Sequence, residues 1–93
     1  MNTMSKKATD LMDLWNKRCP KLGRILKATH LRMRKTAQCL ENESNLDVWA
    51  QAFDICNNHK RLNGSIVNGF KASYDWIIKD VNRHKEVIEK YGD

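Results

Sequence analysis

Leu46-Asp47-Val48-Trp49-Ala50-Gln51-Ala52-Phe53-Asp54-Ile55-Cys56-Asn57-Asn58 is the stretch that decides the fold. At about 100° per residue, Leu46, Trp49, Ala50, Phe53 and Cys56 make one apolar stripe. Val48, Ala52 and Ile55 widen that stripe past a half-cylinder. Asp47, Gln51, Asp54 and Asn58 leave only a narrow polar strip. No other segment is as apolar, so this helix is placed at the centre, capped by Ser44 or Asn45. Trp49 and Phe53, one turn apart, are its core anchors.

The flanks read as further helices. Upstream, Met1 to Ala8 is expected to be a frayed, flexible N-terminus. Thr9 or Asp10 then caps a helix to about Cys19, with Leu11, Leu14, Trp15 and Arg18 on its stripe. Arg18 is expected to lay its stem over that stripe. Pro20 disfavours helix at Cys19 and ends the segment. Lys21 to Ala28 is a basic connector anchored by Leu22, Ile25 and Leu26, with room for a helical turn. Thr29 caps a second helix to about Asn42, with Met33, Thr36, Ala37 and Leu40 on one face. Arg34, Lys35 and Gln38 take the other, Arg32 stands at its edge, and Leu31 is stranded among them. Glu41 to Asn45 is a polar turn.

Downstream, Asn57 to Gly69 is irregular and carries Asn-Gly turn signals at 63–64 and 68–69. Ile66 and Val67 are expected to pack. A hairpin there lacks any evident second strand. Ser73 caps a brief helix through Lys79. Asp80 or Asn82 caps a last helix to Tyr91, with His84 at the rim of its Val87, Ile88 and Tyr91 stripe. Gly92 stands where a left-handed cap residue is expected. The expectation is an all-α, single-domain bundle of four to five helices over residues 9–93.

Charge is unevenly placed. Residues 1–40 carry ten Lys/Arg against two acids, +8, and residues 41–93 carry seven against nine, −2. Lys21, Arg24, Lys27, Arg32, Arg34 and Lys35 are the candidate cations for nucleic acid or an acidic protein surface. Phosphate contacts need no strict spacing, so a plain solvated face shows the same pattern. A helix-turn-helix reading of the second and third helices fails on charge, because Asp47 and Asp54 would face the phosphates.

Other chemistry finds little support. No Gly-x-Ser-x-Gly, phosphate-cradling glycine loop or His-Glu-x-x-His is present, so no catalytic residues and no enzyme are expected. Cys56 and His59 could supply two metal ligands, but a structural zinc needs four. Cys19, Cys39, His30 and His84 are isolated, so no metal or cofactor is expected. The three cysteines, odd in number and widely spaced, read as reduced, packed thiols. No apolar run approaches the ~20 residues of a membrane span. Met1 to Asp10 lacks the apolar segment of a signal peptide.

The run Gly69-Phe70-Lys71-Ala72-Ser73-Tyr74-Asp75-Trp76-Ile77-Ile78-Lys79, then Asn82 and Lys85-Glu86-Val87-Ile88-Glu89-Lys90-Tyr91, resembles the closing segment of phage replication-initiation (replisome organiser) proteins. There a Gly-aromatic-Lys/Arg-Ala-x-Phe-Asp-Trp-Leu-Leu run precedes a helix ending in Val-Leu-Glu and then Tyr-Asp. Leu14-Trp15-Asn16 with Cys19-Pro20-Lys21-Leu22 is similar to the family's Trp-Asn-x-x-Cys/His-x-x-Leu opening, and Trp49 with Phe53 to a Trp-x-x-Tyr/Phe-Phe segment. The likeness spans residues 11–91. Arg83 and His84 replace a family aromatic, and Lys90 a family glycine.

The family carries this module behind a winged-helix domain. Here Met1 opens directly on it, so a stand-alone module without origin recognition is expected. The resemblance implies a host-cytoplasmic accessory of DNA replication, touching DNA or a replication protein. It makes Trp76 and Ile77 core and leaves Phe70, Lys71 and Tyr74 as partner contacts. A phage inhibitor of a host or defence nucleoprotein, such as a helicase loader or CRISPR effector, is the alternative. A homo-oligomer is a third possibility.

Overall fold

Local capping chemistry sets three of the helix starts. A computed structural model describes residues 3–66 and 69–92, which form α1 (Thr3–Arg18), α2 (His30–Asn42), α3 (Leu46–Asn58), α4 (Tyr74–Lys79) and α5 (Arg83–Tyr91). Thr29 Oγ1 accepts from Arg32 N–H, Asn45 Oδ1 from Asp47 N–H, and Ser73 Oγ from Trp76 N–H. Each satisfies a donor that the first turn leaves without a partner. Asn82 stands at the start of α5 but caps nothing; its Oδ1 accepts from Asn42 of α2 instead. The chain is all-α, with no strand among the described residues.

The stripe of α3 puts it at the centre, packed against α1 on one side and α5 on the other. Trp49, Ala52, Phe53 and Cys56 have no exposed surface. Trp15 of α1 meets Phe53 edge-on at 5.1 Å between ring centroids, and Tyr74 of α4 at 5.8 Å. Trp49 lies 5.9 Å from Phe53 on the other flank. Edge-to-face pairs add roughly 0.5–1.5 kcal/mol beyond the area they bury. This aromatic cluster joins α1, α3 and α4, while α2 closes on α1 and α4.

Several boundaries differ from expectation. α1 begins at Thr3, not at a cap at Thr9 or Asp10, so residues 3–8 belong to the helix and not to a frayed tail. Ala8 is buried and extends the stripe one turn upstream. Residues 1–2 lie outside the described residues. Arg18 leaves the stripe to pair with Asp54 of α3 at 3.1 Å. Both partners are well exposed, and such pairs contribute little. The connector holds no helical turn, and Leu26, expected as an anchor, is 86% exposed.

The segment after α3 does find a second side. Asn63 bridges Lys71 in antiparallel fashion, flanked by Gly64 N–H to Phe70 C=O and Ala72 N–H to Leu62 C=O. Gly64 makes this turn possible with φ +77°, a conformation side chains disfavour. Ile66 is exposed rather than packed. Val67 and Asn68 lie outside the described residues. Gly92 closes α5 with φ −82°, not left-handed. Its place is explained by space, because a Cβ there would stand 2.2 Å from Ile88 O.

His84 is a core residue, not a rim residue. It has no exposed surface and stacks on Trp49 at 3.9 Å. Neither ring nitrogen makes a hydrogen bond of normal geometry. Burial pushes its pKa down and Lys85 adds to this, while Glu43 and the Val81 backbone pull the other way. Folding therefore prefers neutral imidazole. The stabilisation is complete above the unfolded value of 6.5 and is lost as pH falls through that value to the lower folded one. Over that window stability should drop by up to ~1.4 kcal/mol per pH unit and then level off. Urea midpoints followed from neutral pH downward should show the slope, and His84→Phe should flatten it.

Candidate nucleic-acid interface

The connector between α1 and α2 is a strap held down by side chains. After Pro20, Leu22 N–H closes a turn on Cys19 C=O at 3.1 Å. Leu22 and Ile25, three apart, are the two anchors that do bury. Trp15 Nε1 donates to Gly23 C=O at 3.0 Å. Asn16 grips Ile25 twice, donating Nδ2 to its C=O at 3.1 Å and accepting its N–H at 2.7 Å. Asn57 of α3 accepts Lys21 N–H at 2.9 Å. A non-helical backbone must find such partners wherever it leaves water. Asn16 and Asn57 thus position the strap, a role the sequence reading assigned to neither. Their one signal is a polar residue at the edge of an apolar stripe.

Pinning the strap fixes what it displays. Lys21, Arg24, Leu26 and Lys27 are all exposed. Among the described residues, none of these three cations makes an ion pair. Arg34 is likewise exposed and unpaired on the outer face of α2.

Arg32 is different. Its Nε and Nη2 donate to the two oxygens of Asp75 on α4 at 2.8 and 3.0 Å, and its Nη1 donates to Lys27 C=O at 2.9 Å. The forked hydrogen bonds hold the Asp75 carboxyl below its usual range and raise the guanidinium's pKa. Arg32 ties α2, α4 and the strap together, so this candidate for nucleic-acid or acidic-partner binding is already engaged within the fold. Lys35 is half-buried and lines a groove of about 530 Å³ between α2 and α4, together with Thr29, Leu31, Arg32, Asp75, Ile78 and Lys79.

The aromatic run 70–76 sorts differently from the resemblance. Tyr74, an expected contact, is 2% exposed. Its hydroxyl shares a 2.6 Å hydrogen bond with the buried Thr36 hydroxyl, and burial pushes its pKa up. Trp76, an expected core residue, is half-buried. Phe70, 45% exposed, tilts against it at 4.9 Å, and the Arg83 guanidinium lies 4.9 Å from its ring centroid. Ile77 is core as expected. Phe70 therefore packs beside the half-buried Trp76 and Arg83, while the exposed Lys71 lies against Gly64. Tyr74 turns inward because Trp15 and Phe53 offer it ring edges and Thr36 a hydrogen bond.

Among the described residues no group of three or more His, Cys, Asp or Glu converges on a point. Cys56 is buried, with its thiol pushed up to about 12, while His59 Nδ1 accepts from Arg61 N–H. Cys19 donates to Phe53 C=O and Cys39 to Ile78 C=O. Burial raises both thiol pKa values, that of Cys39 to about 11. Protonated thiols of this kind are poor nucleophiles and poor metal ligands. No helix among the described residues is long and apolar enough to cross a membrane. Compared with family models, curated proteins and solved structures, the chain matches none.

Proposed function

We propose that this protein is a non-catalytic accessory of phage DNA replication that binds DNA through the strap between α1 and α2, inside the bacterial host. The carrying observation is the strap itself. Lys21, Arg24 and Lys27 stand exposed, without an ion pair among the described residues, on a backbone that Trp15, Asn16 and Asn57 hold in place. Cations presented this way lose little order when they meet phosphates, and each phosphate neutralised releases a counterion. The resemblance of residues 11–91 to replisome organisers supplies the replication context.

Labelled single- and double-stranded DNA should bind at ~50 mM salt, with affinity falling steeply as salt rises. Replacing Lys21, Arg24 and Lys27 together by Ala should flatten the log–log salt slope by about 2–3, and adding Arg34→Ala by about 1 more. Absence of binding to either form would overturn this function.

A second reading, a phage inhibitor bound to a host or defence nucleoprotein, is favoured by Leu26 and Leu31, 86% and 57% exposed among the cations. Phosphates gain nothing from leucine, whereas a protein surface does. A pull-down from host lysate should then retain one stoichiometric partner after nuclease treatment.

A further inference from the structure

The groove between α2 and α4 goes beyond DNA binding. Its exposed apolar residue is Leu31 on α2, and the buried Ile78 of α4 forms part of its floor. Its cations come from both helices, Lys35 on α2 and Lys79 on α4, and neither is ion-paired among the described residues. Arg32 and Asp75 also line it, but they neutralise each other. The lining therefore combines an apolar surface with a positive charge from each helix. Leu31 is 57% exposed while the other large apolar residues of α2 turn inward, so the folded chain leaves this position without a partner.

From this geometry we infer that the groove docks an acidic amphipathic helical segment of a partner protein. Its apolar residues, one turn apart, would pack on Leu31 and on the aliphatic stems of Lys35 and Lys79. Its flanking Asp or Glu side chains would meet Lys35 and Lys79. Groove binding of an amphipathic helix reads anchors at such spacing, and carboxylates on both flanks complete the charge match. A nucleic acid fits poorly, because Leu31 offers phosphates nothing. The volume of about 530 Å³ suits the side chains of one helical face.

The probe is a synthetic fluorescein-labelled helical peptide with Leu one turn apart and Glu on both flanks. A permuted peptide of the same composition and a Lys-flanked version serve as comparisons. The Glu-flanked peptide should bind selectively and shift the amide resonances of Leu31, Lys35, Ile78 and Lys79. Leu31→Ser, at a mostly exposed site where the fold should lose little, should weaken it about tenfold or more. Lys35→Glu with Lys79→Glu should transfer preference to the Lys-flanked peptide. The strap variant lacking Lys21, Arg24 and Lys27 should bind the peptide as the parent does, whatever its DNA affinity, so the two functions fail separately. Equal binding of the permuted peptide, or no saturation by ~1 mM, would overturn the inference. DNA displacing the peptide would assign the groove to nucleic acid. Dimerisation abolished by Leu31→Ser would assign it to a second copy.

Discussion

Trp49→Ala is expected to destabilise the protein by about 3–5 kcal/mol. Three separate losses converge there. The indole has no exposed surface, so truncation opens a cavity in the centre of α3. Its Nε1 donates to Glu43 C=O at 2.8 Å, the residue that closes α2, and that carbonyl loses its partner. The buried His84 ring, stacked at 3.9 Å, loses the face that covers it. A domain of 93 residues has a total stability of about 5–14 kcal/mol, so the variant would sit near its folding threshold. Urea denaturation should show a lower midpoint with an unchanged slope. Trp49→Phe should cost less, because it keeps a ring against His84 and loses chiefly the indole donor. Adding His84→Phe to Trp49→Ala should cost less than the sum of the two changes, since the residues share one contact. A loss under ~1 kcal/mol would show that Trp49 does not hold the core.

What the sequence made legible was the chemistry that acts over a few residues. Thr29, Asn45 and Ser73 cap their helices as expected, because a cap is a contact between a side chain and a backbone amide two or three residues ahead. The stripe of α3 was legible for the same reason, with one helical period repeated over 13 residues. The errors fall where position depends on distant partners. Asn16 and Asn57 reach 9 and 36 residues along the chain to hold the strap, and no local pattern announces that. Tyr74 turned inward and Trp76 stayed half-buried against the core because α4 has only six residues, too few for periodicity to fix its inward face. Thr36, Trp15 and Phe53 decide it from three other elements. Arg32 looked like its basic neighbours until Asp75, 43 residues away, was seen to occupy it. The six basic candidates are close in sequence but divide in space: three lie on the strap, one lies on the outer face of α2, one lines the groove, and one is spent as a tie.

Trp15→Ala should match Trp49→Ala in cost, at about 3–5 kcal/mol, but its consequence reaches the proposed interface. Trp15 is fully buried, edge-on to Phe53 and Tyr74, so its removal unpacks the junction of α1, α3 and α4. It also frees Gly23 C=O and with it the middle of the strap. The two effects can be separated. Trp15→Phe keeps a ring in the cluster while removing the donor and part of the indole's volume, at about 1–3 kcal/mol. Asn16→Ala leaves the aromatic cluster intact and removes both hydrogen bonds to Ile25. In that variant the Ile25 amide should lose its protection from hydrogen exchange while the helices keep theirs. The exposed cations are unchanged in number, so the salt slope of DNA binding should stay the same. Affinity should nevertheless fall severalfold at every salt concentration, because binding must now order a loose strap. A parallel downward shift of the salt plot would show that Asn16 acts by positioning. A flattened slope would show that the strap's cations reach DNA only indirectly, and unchanged affinity would show that pinning the strap is irrelevant to binding.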